Sequence, residues 1–127
     1  MPKLHRICER AVKSNADLII LTGDYLTFES AYGSSDVLEV ALAPLKRARG
    51  RVFACLGNHD YDQNCMDIVK RGLYKNHIQL LVDDGTIATL ANGRKVQIIA
   101  TRHHFVKGSS RAAAIQQTLK VPFLRML

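Results

Sequence analysis

The 127-residue sequence contains no tryptophan and only four phenylalanines and four tyrosines. None of these aromatics interleaves with its one basic cluster, Lys46-Arg47-Ala48-Arg49-Gly50-Arg51, as a base-stacking surface requires, which argues against nucleic acid as a partner. Cysteine is scarce too. Cys8, Cys55 and Cys65 are odd in number and show no Cys-x-x-Cys spacing, which speaks against a disulfide framework or a structural zinc site and for reduced thiols. No apolar run approaches the roughly 20 residues of a membrane helix. The start, Met1-Pro2-Lys3-Leu4-His5-Arg6, lacks the apolar region of a signal peptide. The expectation as written is a cytoplasmic chain, membrane-associated only if a longer form carries an N-terminal anchor. Repeats, low-complexity tracts and linkers are missing, so the length has room for one domain.

What is present is a packable composition, 47% hydrophobic, with 18 basic residues against 11 acidic ones and a formal charge of +7. Such a balance suits phosphorylated substrates or anionic headgroups. Leu4, Ile7, Cys8, Ala11 and Val12 recur at helical spacing and predict a helix over 3–15 with a basic outer face, broken at Asn15-Ala16. A strand is expected over 18–22, then a Ser-, Gly- and Tyr-rich loop over 25–35. Asp36 and Glu39 have capping-box spacing and open a helix to about Ala48, which Pro44 kinks or breaks after two turns. Further strands are expected over 51–56 and 78–82, with a helix over 64–75 between them. Asp83-Asp84-Gly85 reads as a solvated turn. Residues 86–90 and 95–101 form a hairpin across Ala91-Asn92-Gly93. A last helix is expected over 111–120, and 123–127 opens a strand. The order α-β-α-β-α-β-β-β-α is that of an α/β layer fold.

Two stretches share one build. Leu18-Ile19-Ile20-Leu21 runs into Thr22-Gly23-Asp24, and Val52-Phe53-Ala54-Cys55 runs into Leu56-Gly57-Asn58-His59-Asp60. In each, an apolar strand stops at a glycine and a residue able to bind metal follows. Open α/β sheets place their sites just beyond the carboxyl ends of strands. Asp24 offers a hard carboxylate, Asn58 an amide oxygen and His59 an imidazole.

Gly23-Asp24 followed by Gly57-Asn58-His59-Asp60, each after a buried strand, resembles the calcineurin-like metallophosphoesterase family. The resemblance implies a layered α/β/β/α sandwich, and it covers nearly the whole chain. It implies two divalent metal ions (manganese, iron or zinc) and hydrolysis of a phosphate ester or pyrophosphate on a small-molecule or lipid-linked substrate. Compact bacterial members similar to this chain include phosphodiesterases and enzymes that split the pyrophosphate of UDP-2,3-diacylglucosamine. Carried over by position, Asp24 bridges the metals and Asn58 binds the second. His59 reaches the substrate, and Asp60 orients the His59 ring.

The family pattern also uses an Asp-x-His on a first strand, a histidine from a later loop and a Gly-His-x-His near the end. No Asp-x-His occurs here, and residues 1–127 are expected to be a partial domain, incomplete at both ends. His103-His104 follows Arg102 and lacks the intervening residue, so no metal role is carried onto it. The alternative expectation is therefore a non-catalytic phosphate- or partner-binding module on a degenerate phosphoesterase fold.

Overall fold

Leu21 and Ala54 are register partners in a parallel ladder, so two of the expected strands end side by side. The computed structural model describes residues 2–26, 36–62 and 66–102, with the side chain of Asp62 excepted. The expected helix over 111–120, the strand opening at 123, the pair His103-His104 and most of the loop over 25–35 lie outside the described residues. The chain divides into two compact units, Met1–Leu80 and Leu81–Leu127.

In the first unit, β1 (Ile19–Leu21), β2 (Val52–Ala54) and β3 (Gln79–Leu80) form a parallel sheet in that order. Ile19 pairs with Val52, Ile20 with Phe53 and Phe53 with Gln79. The strand period of two sends Ile19, Val52 and Ala54 into the core cluster. Central strand β2 is buried along its whole length, as a strand of a parallel sheet usually is.

Helix α1 (Pro2–Lys13) buries Cys8 and packs Leu4, Ala11 and Val12 against the core. It ends where expected, with Asn15 in the left-handed conformation at φ 54°, a position asparagine tolerates. Helix α2 (Val37–Leu42) gives way to a 3-10 segment, Ala43–Ala48, with Pro44 at its start. Proline lacks the amide an α-helix would use there, so the sequence-predicted break is realised as a tightening of the helix. The expected capping box is not made through its first residue: Asp36 stands at the N-cap of α2 without a side-chain capping hydrogen bond.

Two further helices follow β2: α3 (Asn58–Asp62), which the sequence reading lacked, and α4 (Met66–Lys75). Asn76 is fully buried and donates from Nδ2 to the carbonyls of Glu39 and Gly72, at 2.9 and 2.8 Å, tying α4 to α2. His77, at φ 57°, sits where glycine usually terminates a helix. Its amide bonds Tyr74 O, and the Ile78 amide bonds Leu73 O, both at 3.0 Å.

In the second unit, β4 (Asp84–Thr89) and β5 (Lys95–Ala100) are antiparallel, with Asp84 opposite Ala100 and Thr89 opposite Lys95. The Asn-Gly hairpin is as predicted, closed by Leu90 N–H on Arg94 O at 2.7 Å with Gly93 at φ 81°. One expectation is corrected. Asp83-Asp84-Gly85 is not a solvated turn, because Asp84 and Gly85 begin β4 and the Asp83 side chain is only 7% exposed. Its carboxylate accepts the Arg102 amide at 2.8 Å and the Arg102 Nε–H, a long-range pair no local turn signal contains. Helices on a parallel sheet together with an antiparallel hairpin make this an α/β fold.

Candidate functional site

Because β1 and β2 end level, the segments leaving them emerge together, and Cys55 N–H on Leu21 O at 3.0 Å extends their pairing by one step. The two glycines decide how close the segments come. A Cβ on Gly23 would lie 2.1 Å from Gly57 N, and a Cβ on Gly57 would lie 2.1 Å from Asp24 Oδ1. Neither distance leaves room for a carbon, so this approach excludes a side chain at either position. Asp24 itself adopts φ 56°, a left-handed conformation that aspartate tolerates better than most residues.

That conformation sets Asp24 over the start of α3. Its Oδ1 accepts the His59 amide at 3.1 Å, and its Oδ2 lies 3.4 Å from His59 Nδ1. Both side chains stay open to solvent, His59 at 58% and Asp24 at 49% exposed. Asn58, half-buried, is the first residue of α3. The structure thus gathers Asp24, Asn58 and His59 at the ends of two neighbouring strands, as the sequence reading placed them.

Asp60 sits differently from the expectation that it orients the His59 ring. It is fully buried. Oδ2 accepts the amides of Asp24 and Gly57, each at 2.8 Å, and Oδ1 accepts the amide of Tyr25 at 3.0 Å. A carboxylate sunk among main-chain donors is satisfied by them, and the carboxylate found beside the His59 ring is that of Asp24. The hydrogen bond from Gly57 back to Asp60 has the acid-to-N-cap spacing of a capping box, a signal present in the sequence. The bonds to Asp24 and Tyr25 span 36 and 35 residues, and no local pattern carries them.

Tyr25, read only as loop, is the other residue the sequence reading missed. Its hydroxyl donates to Cys55 O at 2.8 Å and lies 3.3 Å from Leu21 O, bridging the carboxyl ends of β1 and β2. Burial pushes its phenol well above the usual tyrosine range, with Cys55 and Asp60 adding to the effect. The Cys55 thiol is likewise pushed up, first by burial and then by Asp60.

The donors available to a metal are few. Among the described residues no three His, Cys, Asp or Glu side chains gather in a group able to hold an ion. Asp60 is committed to amides, so among the described residues of the two loops Asp24 is the exposed carboxylate, with His59 beside it and Asn58 next to His59 in the chain. A two-metal site needs more ligands than that. Asp24, Asn58 and His59 are by themselves too few to complete such a site.

A family model described as calcineurin-like phosphoesterase matches residues 1–124. No curated protein and no solved structure matches the chain.

Proposed function

The chain belongs to the calcineurin-like phosphoesterase family, and on that premise we propose that its two strand-end loops form part of a metal-dependent phosphoester hydrolase site. The observation that carries this reading is the side-by-side placement of half-exposed Asp24 and His59 on loops held by Asp60. Asp24 and Asn58 would hold divalent ions through their oxygen atoms, with manganese, iron or zinc as the candidates the family resemblance implies. When bound, such ions polarise a phosphoryl oxygen. His59, open to solvent beside Asp24, would meet the substrate and stabilise charge or donate a proton to its leaving oxygen. Asp60 would keep the main chain of both loops in register and touch no substrate. The substrate class is a phosphate ester or pyrophosphate on a small or lipid-linked molecule.

A second reading, a module that binds phosphate without turning it over, is favoured by Asp24 standing as the one exposed carboxylate among the described residues of the two strand-end loops. Hydrolysis of bis(p-nitrophenyl) phosphate separates the two. Turnover that requires added manganese and stops with a chelator supports the hydrolase. Phosphate binding with no turnover at any metal concentration supports the binding module.

A further inference from the structure

Helix α1 presents a stripe of one charge. Lys3, Arg6, Arg10 and Lys13 are all exposed, and their spacing of three, four and three residues puts them on one side of the helix. That side is opposite the one formed by Leu4, Cys8 and Ala11, which packs on the core. The 3-10 segment Ala43–Ala48 packs against α1 and adds exposed Lys46 and Arg47. Among the described residues none of these six cations is in an ion pair.

Acid is nearly missing from the same two elements. The 3-10 segment has none, and α1 has only Glu9, which lies 4.0 Å from His5 on the flank where His5 meets Val40 O of α2. Like charges gathered this way repel one another unless an anionic partner covers them. Ile7, 52% exposed, stands beside the cations rather than in the core.

From this arrangement we infer that the outer face of α1 and the 3-10 segment is a docking surface for anionic phospholipid. Cations suit the headgroup phosphates, and a half-exposed isoleucine among them suits the apolar boundary just beneath. Neither element carries Phe, Tyr or Trp for stacking on bases, and the His5 ring is engaged with Val40 O, which favours lipid over single-stranded nucleic acid. Among the described residues no helix is long and apolar enough to cross a membrane, so α1, about 18 Å long, lies on the surface. The inference is independent of the hydrolase reading.

The test is co-sedimentation of the full chain with phosphatidylcholine vesicles, with and without phosphatidylglycerol. Binding is expected only with the anionic lipid and weakens as salt is raised. The triple variant Lys3→Glu, Arg6→Glu, Arg10→Glu should lower affinity by roughly a hundredfold or more, since each basic residue near such a surface contributes about fivefold. The matched control Lys70→Glu, Arg94→Glu, Lys95→Glu carries the same charge change on exposed positions elsewhere and should keep most of the binding. Circular dichroism confirms that both variants fold. Ile7→Ser, which leaves charge unchanged, should release from vesicles at lower salt than the parent. The inference is overturned by no binding to anionic vesicles, by equal losses in the two triple variants, or by duplex DNA or RNA outcompeting vesicles at the same salt.

Discussion

The Asp60 carboxylate accepts the amide of Asp24 at 2.8 Å across 36 residues of sequence, and the same oxygen accepts the amide of Gly57 at the same distance. One buried charge therefore fixes where two strand-end loops meet. Asp24 is held in a left-handed conformation by that bond from below, while its own carboxylate caps the His59 amide from above.

Asp60→Asn tests this clamp. An amide can present one oxygen but turns an N–H toward at least one of the three donors, leaving buried amides unpaired. We expect a loss of about 2–4 kcal/mol in denaturant unfolding. A change within about 0.5 kcal/mol, the range of surface substitutions, would show that the three amides find other partners.

Gly57→Ala separates close approach from backbone freedom. A methyl there would overlap Asp24 Oδ1, whereas Gly50, at φ 84°, has nothing within 4 Å of an added Cβ. Gly50→Ala should cost about 1 kcal/mol from its left-handed backbone alone. Gly57→Ala should cost more than about 3 kcal/mol, or else push Asp24 aside. Equal unfolding midpoints for the two variants would contradict the tight crossing.

His77→Gly should stabilise the protein. The residue ends α4 at φ 57°, where a Cβ is penalised and glycine is not. A gain of about 0.5–1 kcal/mol is expected by thermal unfolding. A net loss would mean the imidazole makes contacts worth more than the strain.

The cysteines give the pH dependence. Burial raises the thiols of Cys8 and Cys55, and Tyr25 rises with them. Groups whose pKa is higher in the folded state ionise first in the unfolded one. Their stabilisation is therefore complete below the ordinary cysteine and tyrosine values and is lost as pH climbs through and above them. Stability should be flat near neutrality and fall on the alkaline side. Site-resolved mass spectrometry after iodoacetamide treatment at pH 8 should find Cys8 and Cys55 alkylated far more slowly than a free thiol peptide. Labelling of Cys55 as fast as the free thiol peptide would contradict its partial burial and raised pKa.

Much of this architecture was legible because its signals are local. The amphipathic repeat of α1, Pro44, the Asn-Gly turn and the two apolar runs that end in Gly23-Asp24 and Gly57-Asn58-His59-Asp60 each act within a few residues. Asp24, Asn58 and His59 could be gathered on paper because parallel strands of equal reach deliver their ends together. The bonds that join Asp60 to Asp24 and Tyr25, and Tyr25 to Cys55, could not be read, since they span 30 or more residues and depend on how the strands pair. Asp83 fails for the same reason: its partner, Arg102, is 19 residues away. Helix α3 is harder to read because Gly57-Asn58 is equally a turn signal; in the structure the Gly57 amide bonds the Asp60 carboxylate in the first turn of the helix.

The central claim is that Asp24 and His59 act as a pair at the joined loops. Its most direct test is manganese-dependent hydrolysis of bis(p-nitrophenyl) phosphate by the parent chain, Asp24→Asn and His59→Ala, with folding checked by circular dichroism. The account predicts turnover by the parent and losses of at least about a hundredfold in each variant. Asp24→Asn should also weaken manganese binding, and His59→Ala should leave it nearly unchanged. Parent-like rates in both folded variants would contradict the account.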